Sequence, residues 1–193
     1  MVEKIILNTN ATILEKINTE IKIKKFKYQY VILGRLTPDK QVEKTLEVLK
    51  LLDLSQKTIV IGDGVVRGSL SKKFNKTLFL GNIPNEDVIN LLNCTKFIIS
   101  SSIIEGMPYS VLEAMMCGVV PILSDIYGHR DIVINGSNGL IFQSKADCID
   151  KLFYSQIVSD KEYDRMSENA IGTIQNLMNL KQKNLIKFFS SFL

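Results

Sequence analysis

The chain has 193 residues, 46% hydrophobic and 23% charged, with 24 Lys and Arg against 20 Asp and Glu for a formal charge of +4. That is the length of one domain with an ordinary globular composition, which excludes disorder, collagen and coiled coil for the chain as a whole. The mild, interspersed positive charge (pI ≈ 8.9) suits an anionic small molecule or membrane surface, and it lacks the concentrated basic face of a nucleic-acid domain.

Three cysteines, Cys94, Cys117 and Cys148, are odd in number and far apart, without a CxxC pair. This supports neither a disulfide framework nor a zinc site, and it points to the reducing cytoplasm. His129 is the only histidine, so chemistry that needs several imidazoles is excluded. The N-terminus has only a three-residue apolar run after Lys4, too short for a signal peptide. No stretch approaches the roughly 18 apolar residues of a membrane span.

Residues 1–28 read as a less regular opening segment that ends in a lysine-rich stretch around Ile23 and Phe26. Lys22, Lys24 and Lys25 there read as a solvated strand edge protected from aggregation, with a membrane-facing patch as the alternative. A regular alternation then begins. Tyr30 to Leu33 is a β-branched run closed by Gly34, and Glu43 to Leu52 places Leu46, Leu49 and Leu52 on one helical face. Thr58 to Ile61 is a second strand closed by Gly62-Asp63-Gly64, followed by a short helix towards Phe74. Thr77 to Leu80 is a third strand, closed by Gly81, and Asn85 is the expected N-cap of a helix over Glu86 to Leu92. Lys96 to Ser100, Val119 to Leu123 and Gly139 to Phe142 are the remaining strands, with a helix over Ser110 to Cys117. From Lys145 onward the pattern is helical, with Ile174, Leu177, Met178, Leu185 and Phe189 as packing positions. Short strands alternating with helices predict an α/β fold with a doubly wound parallel sheet and a helical C-terminal tail.

Ligands of such sheets bind at the carboxyl ends of the strands, so the loops from Gly34, Gly62, Gly81, Ser100 and Leu123 matter. Arg35 and Lys40 leave the first strand end and can converge on one anion, although Asp39 could pair with either. Gly62-Asp63-Gly64 followed by Gly68 has the look of a dinucleotide loop. The next strand, however, ends without the carboxylate that a nicotinamide ribose needs, which disfavours an oxidoreductase. The most informative segment runs from Ser100 to Glu113. Glu105 lies in its loop before Gly106-Met107-Pro108, and the helix that follows aims free amides and its positive end into the same crevice. Ser110 and Glu113 also form an S-x-x-E pattern, which makes a capping box their structural alternative. Glu105 has no such alternative.

Glu105 and Glu113, with seven residues between them and Gly-Met-Pro after the first, resemble the Glu-x7-Glu signature of retaining glycosyltransferases of the GT-B fold. The similarity runs from about Tyr30 to Phe142 and includes Gly34-Arg35 with Lys40, Gly62-Asp63-Gly64, Leu80 to Ile83, Pro121, Ser124 to Asp131 and Asn135 to Leu140. Its flavour is that of bacterial cell-surface polysaccharide enzymes making capsule, lipopolysaccharide or exopolysaccharide. The resemblance implies that Gly34, Arg35 and Lys40 hold a nucleotide-sugar diphosphate and that Gly62 forms a second glycine turn. It implies further that the backbone of Gly106, Met107, Pro108, Ser110 and Val111 meets phosphate and sugar. Glu105 would bind the donor sugar, Glu113 the ribose hydroxyls and Ile83 the base. Arg35, Lys40 and Glu105 are then the catalytic group, with no metal and no cofactor beyond the donor, a UDP-sugar being favoured over a GDP-sugar.

Three departures from that pattern stand out. Gln41 replaces a common glycine after the lysine, and Tyr127 replaces the first of two glycines, with His129 and Arg130 after the second. His129 reads as structural, with a contact to the donor as the alternative. The third departure is organisational. Residues 1–28 are expected to be an opening segment that includes an interdomain connection, and residues 29–193 the nucleotide-sugar domain. The N-terminal domain that takes a glycan or lipid-linked acceptor would be absent, so Met1 would begin a fragment that binds donor without transferring. The expected setting is cytoplasmic, with the parent protein at the inner membrane face. A non-catalytic binding module, the oxidoreductase and a sugar-nucleotide epimerase remain the competing readings.

Overall fold

The computed structural model describes residues 26–190, with side chains to residue 179. Lys22, Lys24 and Lys25 lie outside the described residues, as do all but the last three residues of the 1–28 opening segment and the side chains of Leu185 and Phe189. Six strands form one sheet: β1 (Tyr28–Leu33), β2 (Thr58–Ile61), β3 (Leu78–Gly81), β4 (Thr95–Ser100), β5 (Val120–Ser124) and β6 (Leu140–Phe142). All pairings are parallel, in the order β3-β2-β1-β4-β5-β6. The helices are α1 (Val42–Leu51), α2 (Arg67–Lys73), α3 (Asn85–Asn93), α4 (Tyr109–Met116), α5 (Tyr127–Arg130), α6 (Lys145–Ile157) and α7 (Asp160–Ser190). The doubly wound α/β fold expected from the strand–helix alternation is therefore present, with helical segments closing the chain.

Successive strand residues point to opposite faces, so the β-branched runs feed two cores. Tyr30, Ile32, Val60, Phe97, Ile99 and Ile122 join the core beneath α1 and α6. Val31, Ile59, Ile61, Ile98 and Leu123 join the one beneath α4. Each fully buried aliphatic or aromatic side chain of this kind contributes about 1.5–3 kcal/mol of burial. The long α7 serves both cores, with Tyr163 and Met166 in the first and Ala170 and Ile174 in the second. Phe26, read from sequence as part of an exposed lysine-rich edge, instead packs edge-on against Tyr163 at 5.5 Å.

Several boundaries shift for local reasons. Asn85 is the first residue of α3 and Pro84 takes the cap position, with no side-chain cap bond. The helix expected from Ser110 starts at Tyr109, capped by Pro108. The turn α5 falls within a segment whose spacing carries no helical period. The topology itself makes the functional crevice. From β1 the sheet grows one way through β2 and β3, and from β4 the other way through β5 and β6. The loops leaving Leu33 and Ser100 therefore diverge and leave a cleft between them.

Candidate functional site

A pocket of about 280 Å³ opens at that switch point, lined among others by Gly34, Arg35, Lys40, Ser102, Glu105, Met107, Pro108, Ser110 and Val111. Three strand ends are laced together beside it. The Gly34 amide donates to the Ile61 carbonyl (3.0 Å), the Leu36 amide to Asp63 (2.8 Å) and the Gly62 amide to Gly81 (2.8 Å). A Cβ on Gly62, whose φ is +124°, would lie 2.0 Å from the Gly34 carbonyl oxygen, so only glycine permits this approach. Gly62 and Ile83 lie outside the pocket lining, and Ile83 packs partly against the second core.

Arg35 is exposed and reaches the pocket. The chain then makes a 3₁₀ turn over Pro38–Lys40 and enters α1 through Gln41, whose φ of 46° and ψ of 36° are left-handed. Gln41 thus adopts the conformation that glycine would adopt more readily, and the turn survives the departure noted above.

Lys40 pairs with Glu105, not with its neighbour Asp39: Nζ lies 2.5 Å from Oε1, with side chains 18% and 15% exposed. The same Oε1 accepts a hydrogen bond from Ser102 Oγ at 2.9 Å, and the Ser100 hydroxyl lies 3.0 Å from that of Ser102. Ser124 Oγ donates to the Ser102 carbonyl at 2.6 Å. Glu105 is thus held by a serine scaffold that ties the end of β4 to the end of β5. Sequence reasoning singled out Glu105 and missed the serines. The Ser100-Ser101-Ser102 run at a strand's carboxyl end was the available signal.

Helix α4 faces the same pocket. Pro108 occupies its cap without a side-chain bond, so the anticipated Ser110–Glu113 capping box does not form, and Glu113 lies beyond the first turn. Among the described residues the amides of Gly106, Met107 and Ser110 donate to no protein acceptor. With the positive end of the helix behind them, they are free to meet an anion. Glu113 presents substantial surface to solvent, yet surrounding protein displaces enough water to push its carboxyl above the ordinary range.

His129 is fully buried. Its Nδ1 donates to the Ser124 carbonyl at 2.8 Å, and Nε2 is buried without a partner. Burial pushes the imidazole below its usual range and so keeps it neutral, an effect opposed by the bond to Ser124 and the nearby Glu105 charge. The preceding Gly128 lies against the functional loop, since a Cβ there would sit 2.4 Å from the Glu105 carbonyl oxygen. Tyr127, by contrast, is 79% exposed.

A second hollow, about 450 Å³, lies beyond β5 and β6. It is larger but more open, and its charges are spent on one another: Arg130 bonds Asp125, Gln143 bonds Asp125 and Asp147, and Lys151 pairs with Asp147. The switch-point pocket, with a guanidinium that forms no ion pair among the described residues and with free amides, is the better anion site. Among the described residues no cluster of three His, Cys, Asp or Glu could hold a metal ion, and no helix is long and apolar enough to cross a membrane.

Residues 15–173 match the family described as Glycosyl transferases group 1. The chain is 26% identical over 174 residues to the UDP-Gal:alpha-D-GlcNAc-diphosphoundecaprenol alpha-1,3-galactosyltransferase of Escherichia coli, covering 83% of this chain and 44% of that protein. It spans less than half the length of the curated relatives it matches. Among solved structures it resembles the C-terminal domain of a glycosyl transferase group 1 family protein, LpcC, from Francisella tularensis. The TM-score is 0.67 at 19% identity, over 80% of this chain and 92% of that one. It also resembles Anabaena Alr3699/HepE, solved in complex with UDP and glucose, with a TM-score of 0.68 at 17% identity over 93% of this chain and 52% of that one. These likenesses give the Rossmann-like α/β fold of GT-B glycosyltransferases.

Proposed function

The chain belongs to the Glycosyl transferases group 1 family, and from that premise we propose that it is the donor-binding domain of a retaining hexosyltransferase. Its donor is a nucleotide sugar, with UDP favoured as the carrier. The observation that carries the reading is the convergence of Arg35, Lys40 and the free amides of Met107 and Ser110 on one pocket at the switch point of the sheet. Such a cradle suits a diphosphate and little else of that size.

In this reading the diphosphate lies between the Gly34–Lys40 loop and the amide of Ser110, while Glu105 takes the hydroxyls of the donor sugar. Glu113, uncommitted to any cap, takes the ribose, and the Ile83 backbone the base. The bond from the anomeric carbon to the phosphate oxygen breaks as an acceptor hydroxyl attacks the same face, and the departing phosphate accepts the hydroxyl proton. Arg35 and Lys40 stabilise the charge that builds on the leaving group, the electrostatic task a metal performs elsewhere. His129 is a structural residue here, since its ring is buried and bonded to backbone.

The acceptor, a glycan or lipid-linked sugar, is bound by a separate N-terminal domain, with residues 1–28 as the connection. The size of the relatives supports that arrangement, as does the likeness to a C-terminal domain solved by itself. The E. coli relative, named for a diphosphoundecaprenol acceptor, supports a cell-surface polysaccharide pathway at the cytoplasmic membrane face. The test is calorimetric titration with UDP, GDP and ADP, repeated on Glu113→Ala. Saturable binding of one nucleotide, weakened roughly tenfold by loss of a hydrogen bond to a charged group, is expected. Binding of the nucleotides that is indifferent to Glu113 would remove the ribose assignment, and binding of none would remove the donor site.

A further inference from the structure

Lys40 is the more enclosed of the two cations in the pocket, yet its ammonium is already committed to Glu105 at 2.5 Å. With both side chains more than four-fifths buried, solvent screens this pair weakly. The two partners are held differently. Glu105 has a second tie through Ser102, which is 1% exposed and fixed in turn by Ser100 and Ser124. Lys40 Nζ sits at the end of a flexible four-carbon stem and makes no other bond among the described residues. The carboxylate is anchored, and the ammonium can swing.

We infer that Glu105 competes with the diphosphate for Lys40, so that the pocket discriminates a nucleotide sugar from the bare nucleoside diphosphate left after transfer. This rests on the donor reading given above. A diphosphate that draws Lys40 away leaves a largely buried carboxylate without its cation, an unfavourable exchange. A sugar attached to that diphosphate carries hydroxyl donors that replace the lost ammonium bond at Glu105. A bare diphosphate carries none, so the carboxylate retakes Lys40 and opposes the nucleotide. One ion pair would therefore favour entry of the donor and departure of the spent carrier.

The experiment is calorimetric titration of the full chain and of Glu105→Gln, Lys40→Met and the double variant. The ligands are UDP, GDP and ADP, then UDP-glucose, GDP-mannose and ADP-glucose. Glu105→Gln keeps the shape and removes the charge. It should tighten nucleoside diphosphate binding roughly fivefold to tenfold, the scale of one charge-assisted hydrogen bond regained by Lys40. It should not tighten the sugar conjugate, and the gain should vanish when Lys40 is Met. Unchanged or weaker diphosphate binding by a Glu105→Gln protein that retains its melting transition overturns the inference while leaving the donor site standing. If that variant does not fold, Glu105→Ala carries the same expectation and the same refutation. Failure of the unaltered chain to bind any of the six ligands removes the donor reading and this inference together.

Discussion

At the scale of single residues, the site keeps groups that stability alone would not favour. The Glu113 carboxylate makes no hydrogen bond among the described residues, and desolvation raises it above the ordinary range. A folded-state value above the unfolded one means that the ionised form is disfavoured by folding. The resulting penalty is present at neutral pH and disappears as pH falls through the raised folded value and then the ordinary one. Glu113→Gln should therefore melt no lower than the unaltered chain at neutral pH, with any advantage gone at acid pH, while nucleotide binding suffers. A neutral-pH melting temperature clearly below that of the unaltered chain would show that Glu113 serves the fold. Gln41 tells a similar story in backbone terms: its left-handed φ of 46° carries Lys40 into the pocket at a cost of about 1–2 kcal/mol that glycine would avoid.

At the scale of elements, the site depends on turns that meet across the sheet. The helix α5 is only one turn long, yet Gly128 in it lies against the backbone of Glu105. In Gly128→Ala the new Cβ would fall 2.4 Å from a carbonyl oxygen, so turn and loop must separate. We expect a loss of about 1–3 kcal/mol in urea unfolding, typical of overpacking, accompanied by weaker nucleotide binding. Unchanged stability would mean that the two segments are not packed as described. This contact was invisible in sequence because the partners are more than twenty positions apart and neither lies in a periodic segment. The strands were legible, since β-branched runs such as Thr58–Ile61 closed by glycine have few other readings. The caps were not. Ser110 and Glu113 have the right spacing for a capping box, but Pro108 takes the cap, which leaves Ser110 to line the pocket and Glu113 outside its lining. Glu105, Lys40 and Arg35 were each legible as candidates. That the first two bond one another, and that Ser102 holds the first, required the register of β4 with its neighbours.

At the scale of the whole molecule, two cores on opposite faces of one parallel sheet make a rigid platform, and α7 ties them together. Among the described residues, the strand order makes neighbouring loops diverge only between β1 and β4, and the cations and free amides gather there. The family match covers residues 15–173, and the chain spans less than half of the length of its curated relatives. The most direct test of the donor platform is a crystal structure of the chain grown with UDP, or with whichever of UDP, GDP and ADP binds most tightly. The account predicts the diphosphate between the Gly34–Lys40 loop and the start of α4, within hydrogen-bonding distance (about 3 Å) of the Ser110 amide, and the ribose at Glu113. A nucleotide seated elsewhere, or one that leaves Arg35, Lys40 and the Ser110 amide untouched, would contradict it.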